Sequence, residues 1–146
     1  MADNATLARS LYEAFNNRDF DLLSEAVAPE GTITMVGSGQ TFTGPDGARQ
    51  YNTMWEEAFP DGMITVDRVI AQDDCVVVEF TGRGTHTGTL ATAAGNIPAT
   101  GRSVTLQLVD VLEFADGKVK AQRSYFDSGS LMAQLGITAT QPASAE

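Results

Sequence analysis

The segment at residues 104–114, VTLQLVDVLEF, decides the fold, because apolar side chains recur along it with the period of a β-strand. One side of that strand would be apolar except for a single carboxylate: Val104, Leu106, Leu108, Asp110, Leu112 and Phe114. An ionised carboxylate in apolar surroundings is costly unless it is paired or hydrated. Asp110 is therefore the residue that needs an explanation.

Two explanations of Asp110 are open at the level of sequence. Desolvation would raise the pKa of its carboxyl group, and a pKa near neutrality suits a general base. Alternatively, Asp110 is structural and is satisfied by a buried arginine or by water, or the core lies on the other side of the strand. We predict the first, with Asp110 on the concave, apolar side of a sheet and in the role of general base.

Composition limits the class of protein. The chain has 146 residues, of which 42% are hydrophobic, and this suits one globular domain. Its formal net charge of -10 argues against binding to nucleic acid or to anionic membranes. A single cysteine, Cys75, excludes an internal disulfide. No signal peptide or apolar span is seen, so we predict a cytoplasmic protein with no membrane partner.

The chain divides into a helical start and a β-rich remainder. We predict helices over residues 4–16, with Asn4 as the cap, over 20–27, and from a Thr43 cap to Pro60. Strands are predicted over residues 32–36, 63–72, 75–87, 103–114 and 118–127, with a loop over 89–102 and a last helix over 130–135. Residues 1–137 would form one domain, and residues 138–146, TATQPASAE, a flexible tail.

This order predicts an α+β fold: a curved antiparallel sheet with the N-terminal helices packed over it. Such a sheet would enclose a cone, and in a chain of this size the cone can hold one small hydrophobic molecule.

Several short motifs occur in a recognisable order: YEAFNNRDFDLLSEAVAPE near the start, then GRGTHTG, PATGR, FADGKV, RSYFD and MAQLG. Together they resemble the SnoaL-like polyketide cyclases of the nuclear transport factor 2-like superfamily. RSYFD and the preceding GKV are also similar to the limonene epoxide hydrolases. The resemblance implies a cone-shaped α+β barrel, usually a homodimer paired through its sheet, with a pocket and no cofactor.

The resemblance also implies site residues. In the cyclases a carboxylate that follows an arginine on the last strand is the general acid and base of an aldol closure. In the epoxide hydrolases an aspartate at the matching place works with an arginine and a second aspartate to activate water. Here the arginine matches Arg123, but the next residue is Ser124. A hydroxyl group cannot take over that proton transfer unaided.

The hairpin turn decides which residue faces Asp110. A two-residue turn at Asp116 and Gly117 would place Asp110 opposite Arg123. A three-residue turn with a bulge would place it opposite Gln122, with Ser124 diagonal to it. The sequence permits both, and the resemblance favours the second, because that register puts Ser124 in the pocket.

The remaining candidate site residues surround the predicted cone. His86 would share the side of the strand that carries Val76, Val78 and Phe80, as a proton carrier or hydrogen-bond donor, although a histidine at a strand end is often structural. Tyr12, Tyr51, Asn52 and Trp55 come from helices that close the cone, and of these Tyr12, Asn52 and Trp55 are predicted to bind substrate. The predicted substrate-binding residues on the strands are Leu108, Gln122, Ser124 and Phe126. No spacing of ligands indicates a metal site.

Three functions fit these residues. The first is a cofactor-independent cyclase or isomerase, in which Asp110 removes a proton next to a carbonyl and His86 or another donor stabilises the enolate. The second is a small-ligand-binding protein of the same fold without catalysis. The third is an epoxide hydrolase, which needs a cluster of carboxylates and an arginine.

Overall fold

A computed structural model describes residues 3–137 of the protein. The elements follow one another in the order α1 Asn4–Asn16, α2 Phe20–Glu25, β1 Val27–Met35, β2 Gln40–Thr43, α3 Gly44–Ala58, β3 Met63–Gln72, β4 Cys75–Thr85, β5 Leu90–Thr92, β6 Gly95–Ile97, β7 Ser103–Ala115, β8 Lys118–Phe126 and α4 Ser128–Gln134. No helix among these residues is long and apolar enough to cross a membrane.

Six strands form one curved sheet in the order β2-β1-β8-β7-β4-β3, and the helices lie over its concave side. The predicted α+β class is therefore confirmed. Two details differ from the prediction. The sheet is open, with β2 and β3 at its edges, so it is not a closed barrel. Strand β1 runs parallel to β8, and the elements from β2 to β7 provide the long connection that a parallel pair needs.

Strand β7 has the alternation that the sequence predicts. Leu106, Leu108, Asp110, Leu112 and Phe114 are all buried, whereas Thr105 and Gln107 are exposed. Both neighbouring strands hydrogen-bond to β7 over most of its length, so it lies in the middle of the sheet. Its buried side forms the floor of the hydrophobic core, and the helices provide the opposite wall.

The hairpin between β7 and β8 has neither of the two predicted registers. It turns through Asp116 and Gly117, which both have positive φ values (53° and 76°), as a type I′ turn requires. Phe114 then pairs with Val119, but Glu113 pairs with Ala121, so Lys120 is an extra residue. This bulge moves the rest of β8 by one position.

Short elements were the least predictable. The predicted loop over 89–102 contains the hairpin β5–β6, and β2 was not predicted. The cap of α1 is Asp3, not Asn4, because the Asp3 carboxylate accepts a hydrogen bond from the N–H of Thr6. Helix α2 ends at Glu25, so Val27 belongs to β1. The predicted tail, residues 138–146, lies outside the described residues.

A segment over residues 86–102 crosses the end of α3 and is fixed there by backbone contacts. The N–H of Gly88 donates to the carbonyl of Ala58 at 3.2 Å. A Cβ atom at Gly88 would lie 1.8 Å from the carbonyl oxygen of Glu57, so only glycine permits this approach. Leu90, two residues later, is buried against the core.

We expect Gly88→Ala to destabilise the protein by roughly 1–3 kcal/mol, because a clash with backbone cannot be relieved by a rotamer change. Gly37→Ala is the matched control, since nothing lies within 4 Å of a Cβ atom at that position. Urea unfolding of both variants measures the effect. Equal stability of the two variants would show that the segment is not fixed to α3 as described.

Candidate active site

Asp110 lies inside the protein, where three neutral groups donate hydrogen bonds to its carboxylate. Only 2% of its surface is exposed. Oδ1 accepts a bond from the Ser124 hydroxyl at 2.5 Å, and Oδ2 accepts one from the Tyr12 hydroxyl at 2.7 Å. The Gln122 amide donates to Oδ2 at 3.3 Å. Tyr51 extends the network, since its hydroxyl lies 2.9 Å from that of Ser124.

The register of the β7–β8 hairpin creates the bond between Asp110 and Ser124. Because of the bulge at Lys120, Asp110 pairs directly with Ser124, and Gln122 pairs with Leu112 on the same side of the sheet. Directly opposite side chains in an antiparallel pair are close enough to bond. Ser124 therefore faces the interior, as the resemblance implies, although the register differs from the one predicted.

Helix α1 positions Tyr12. The helix is fixed at its end by Asn16, whose side chain bonds to both the N–H and the carbonyl of Ile64 on β3, at 2.7 and 2.8 Å. Arg18 adds bonds to the carbonyls of Pro60 and Gly62. The Tyr12 ring packs on Phe80 with centroids 4.9 Å apart. These contacts hold the hydroxyl group at the carboxylate.

Tyr51, on α3, belongs to the network, yet the sequence analysis did not place it in the site. It shares the buried face of α3 with Ala48 and Met54, and its ring packs edge-on against Phe42. The one available signal was chemical: a buried tyrosine hydroxyl needs a hydrogen-bond partner. Sequence alone does not reveal that the partner is Ser124.

Burial dominates the acidity of Asp110. Desolvation raises the pKa of its carboxyl group from an ordinary value of 3.8 to about 6, and the bonds from Ser124 and Tyr12 oppose part of this rise. The pKa of Tyr12 is raised well above its ordinary value by desolvation and by the charge of Asp110. The pKa of Tyr51 is raised for the same two reasons. Asp110 is thus the group of this network that titrates near neutral pH.

Arg123 does not pair with Asp110. It points to the opposite side of the sheet, where its guanidinium group donates to Glu113 at 2.7 Å. Both side chains of this ion pair are partly exposed, and the contact lowers the pKa of Glu113. Pairing of Asp110 with Arg123 is therefore excluded.

A cavity of about 130 Å³ opens beside Asp110. Six of the predicted site residues line it: Tyr12, Asn52, Trp55, Leu108, Asp110 and Gln122. Three do not. Ser124 lies behind the Asp110 carboxylate, and Phe126 packs edge-on against Trp55 with centroids 5.7 Å apart. The third is His86.

His86 is buried but belongs to another part of the core. The strand β4 ends at Thr85, and His86 turns into the segment over 86–102, where its Nδ1 accepts a bond from the N–H of Thr100 at 3.2 Å. Its ring lies 5.5 Å from that of Phe59. Burial lowers its pKa, which favours the neutral ring. The expectation that His86 faces the pocket is wrong, because the strand does not continue as far as residue 86.

Among residues 3–137 no group of three or more His, Cys, Asp or Glu side chains is arranged to hold a metal ion. The chemistry available at the cavity is that of one titratable carboxylate, several neutral hydrogen-bond donors and an apolar wall.

Comparison with known proteins places the chain in a family. The profile of the SnoaL-like polyketide cyclases matches residues 5–135, so the chain belongs to that family. No curated protein sequence matches it.

Solved structures share the fold. IdmH from Streptomyces antibioticus, a proposed polyketide cyclase, is 25% identical with a TM-score of 0.75, over 93% of this chain and 100% of IdmH. A nuclear transport factor 2-like protein of unknown function from Burkholderia pseudomallei is 26% identical with a TM-score of 0.74, over 92% and 98% of the two chains. AclR from Streptomyces galilaeus, a proposed hydroxylase, is 24% identical with a TM-score of 0.73, over 90% and 93%. One fold thus carries different proposed chemistries, so function must be argued from the site.

We expect the pH dependence of the free energy of unfolding to show that the carboxyl group of Asp110 has a raised pKa. Because its folded pKa exceeds its unfolded pKa, the folded protein binds the proton more tightly. The stabilisation linked to the neutral carboxyl is complete below the unfolded pKa and is lost as pH rises through about 6. Asp110→Asn should remove this dependence. The free energy of unfolding of the variant, relative to wild type, should rise by about 2 kcal/mol between pH 4 and pH 7.5.

Urea unfolding at several pH values measures this difference. Asp116→Asn is the matched control, because Asp116 is exposed in the β7–β8 turn and its substitution should leave the wild-type profile unchanged. Parallel profiles of wild type and Asp110→Asn would contradict the assignment.

Proposed function

We propose that this protein is a cyclase-type or isomerase-type enzyme that needs no cofactor, and that Asp110 removes a proton from carbon next to a carbonyl group. The observation that carries the proposal is a buried carboxylate with a pKa of about 6 at the wall of an apolar cavity. A base with a pKa close to the working pH is ionised and still holds a proton well. The family match supports the same class of reaction.

The position of Asp110 accounts for the missing family carboxylate. The cyclases that the sequence resembles carry their acid at the position of Ser124. Here the carboxylate stands on the adjacent strand, directly opposite, with its Oδ1 2.5 Å from the Ser124 oxygen. The acid therefore stands next to the position of the family's acid, on β7 instead of β8. Ser124 keeps the carboxylate in place as a donor.

In the proposed step the C–H bond of the substrate breaks and its electron pair forms an enolate. The proton moves to Oδ1 of Asp110, which accepts one hydrogen bond, from Ser124, and has a second lone pair. Asn52 and Gln122 both line the cavity. One amide N–H of Asn52 donates to the carbonyl of Ala48 at 2.9 Å, and one of Gln122 donates to Asp110. Each amide has a second N–H that can stabilise the enolate oxygen. The enolate then attacks a second carbonyl carbon in a cyclase, or takes the proton back at another carbon in an isomerase.

Of the two other functions, epoxide hydrolysis has the weaker support. Water activation in that class needs an arginine beside the carboxylates, and Arg123 pairs with Glu113 on the far side of the sheet. Ligand binding without catalysis remains the rival, since the same cavity would serve it. The two are separated by whether Asp110 moves a proton.

Proton exchange into a small ketone tests the proposed reaction. We expect the protein to accelerate deuterium incorporation next to the carbonyl of 2-indanone in D₂O, measured by NMR, and the rate to rise with pH through about 6. Asp110→Asn should lower the rate by roughly 10²–10⁴-fold, because an amide cannot accept the proton. Asp116→Asn should leave it unchanged. Saturable binding of the ketone by wild type with exchange at the buffer rate would support the binding protein instead.

We also propose that the protein is a homodimer paired through the outer side of the sheet. Apolar side chains from four strands meet there: Ile70, Val77, Val109, Val111 and Tyr125. Ile70 and Tyr125 are 47% and 41% exposed, and with the half-buried valines they form an apolar patch of the kind that marks interaction sites.

Sedimentation equilibrium tests the assembly. Wild type should be a dimer at micromolar concentration, and Ile70→Glu should be a monomer, because it would bury a charge in the interface. Leu22→Glu is the control, since Leu22 is an exposed apolar residue (39%) on α2, away from this surface. A monomeric wild-type protein would show that the proposal is wrong.

A further inference from the structure

When it is ionised, the Asp110 carboxylate places a negative charge at the cavity that no positive group of the described residues balances. The groups around the Asp110 carboxylate are Tyr12 from α1, Tyr51 from α3, Ser124 and Gln122 from β8, and Val78 from β4, and all of these are uncharged. Buried carboxylates in proteins are usually paired with a cation. Here only neutral donors are present.

Arg83 is the second charged residue along the cavity wall, and it does not act as the missing partner. It belongs to the outward-facing row of β4, opposite Met63 and Thr105, and its side chain is exposed. Glycines stand on either side of it on the inward row, so its backbone borders the cavity. The carboxylate therefore remains unbalanced above its pKa.

The wall of the cavity is rich in aromatic rings. Six of its residues are aromatic, and they come from both helices and the sheet: Tyr12, Phe15, Tyr51, Trp55, Phe59 and Phe80. The face of an aromatic ring carries negative potential and attracts cations, most strongly where water is excluded. Aliphatic side chains make up most of the rest of the wall, so the rings alone would not select a cation. The rings together with the unbalanced carboxylate favour one.

We propose that this cavity binds a small organic cation, an ammonium group with apolar substituents, and that Asp110 is its counter-ion. The inference concerns the same cavity as the proposed reaction but needs no turnover. The size of the ligand follows from the volume of about 130 Å³, which is close to the ~150 Å³ of an engineered cavity that holds benzene. A single ring bearing a trimethylammonium group is of suitable size, because the cavity opens to the surface. Such a cation would inhibit the proposed proton abstraction.

Charged and neutral ligands should respond to pH in opposite directions. A cation stabilises the ionised carboxylate, so its binding is linked to release of a proton. A neutral apolar ligand removes water from the carboxylate, favours the protonated form and is linked to uptake of a proton. Tyr12 and Tyr51 stay protonated across this range, because the pKa of each is raised. His86 does not line the cavity. The sign of the pH dependence therefore reports on Asp110.

Two molecules of the same shape make the test. Phenyltrimethylammonium carries a permanent charge that does not titrate, and tert-butylbenzene is its neutral carbon counterpart. Trp55 lines the cavity and is the single tryptophan of the chain, so its fluorescence reports binding, with calorimetry as the second measurement. The cation should bind roughly tenfold more tightly at pH 8 than at pH 5, where only about a tenth of Asp110 is ionised. The neutral molecule should bind more tightly at pH 5.

Variants locate the effect. Asp110→Asn should abolish the pH dependence of the affinity for both molecules. At pH 8 it should lower the affinity for the cation by roughly tenfold, while the neutral molecule binds at least as tightly as to wild type. Asp116→Asn, in the exposed turn, should change neither affinity. If Asp110→Asn does not fold, the opposite pH responses of the two molecules on wild-type protein still decide the matter.

Equal affinities of the two molecules at pH 8, or a cation affinity that does not change between pH 5 and pH 8, would overturn the proposal. Failure of the proposed enzyme is recognised separately. Binding of the cation with the expected pH response, together with no proton exchange into 2-indanone, would sustain this inference and reject the reaction. Proton exchange without binding of the cation would support the proposed reaction and reject this inference.

Discussion

The carboxylate of Asp110 lies on the buried side of the central strand of the sheet and is held there by hydrogen bonds from neutral groups alone. Ser124, Tyr12 and Gln122 supply these bonds from β8 and α1. They satisfy the oxygens without neutralising the charge, so desolvation outweighs them and the pKa rises to about 6. An arginine in the same place would have pulled the pKa down and removed the base. The raised pKa of Asp110 therefore depends on the absence of a cation next to it among the described residues.

Other elements of the fold position the residues that donate these hydrogen bonds. The bulge at Lys120 sets Ser124 directly opposite Asp110, and the same bulge leaves Arg123 on the outer side, paired with Glu113. The two hydrogen bonds between the Asn16 side chain and the backbone of Ile64 fix the helix that carries Tyr12. Helix α3 contributes Tyr51, which bonds to Ser124 and completes the chain of hydroxyl groups. Side chains from α1, α3 and β8 thus form one hydrogen-bonded network around this carboxylate.

Sequence reasoning succeeded where the signal was periodic and failed where it was local. The alternation along β7 predicted both the strand and the burial of Asp110, and the order of elements with the motif resemblance predicted the fold. The register of β8 could not be predicted, because the bulge depends on a single extra residue, Lys120, that no pattern reveals. His86 was misplaced for a related reason: two glycines precede the end of β4, and the period of the strand was extended beyond Thr85. Tyr51 was missed because its partner is far away in the chain.

The ionisation of Asp110 is the central claim, and a titration of its carboxyl carbon measures it most directly. Carbon-13 NMR of the Asp110 Cγ resonance, assigned by comparison with Asp110→Asn, reports the protonation of this one group between pH 3 and pH 9. The account predicts a midpoint near pH 6. A midpoint below about 4, the ordinary range of an exposed aspartate, would contradict it, because the carboxylate would then be hydrated or paired with a cation.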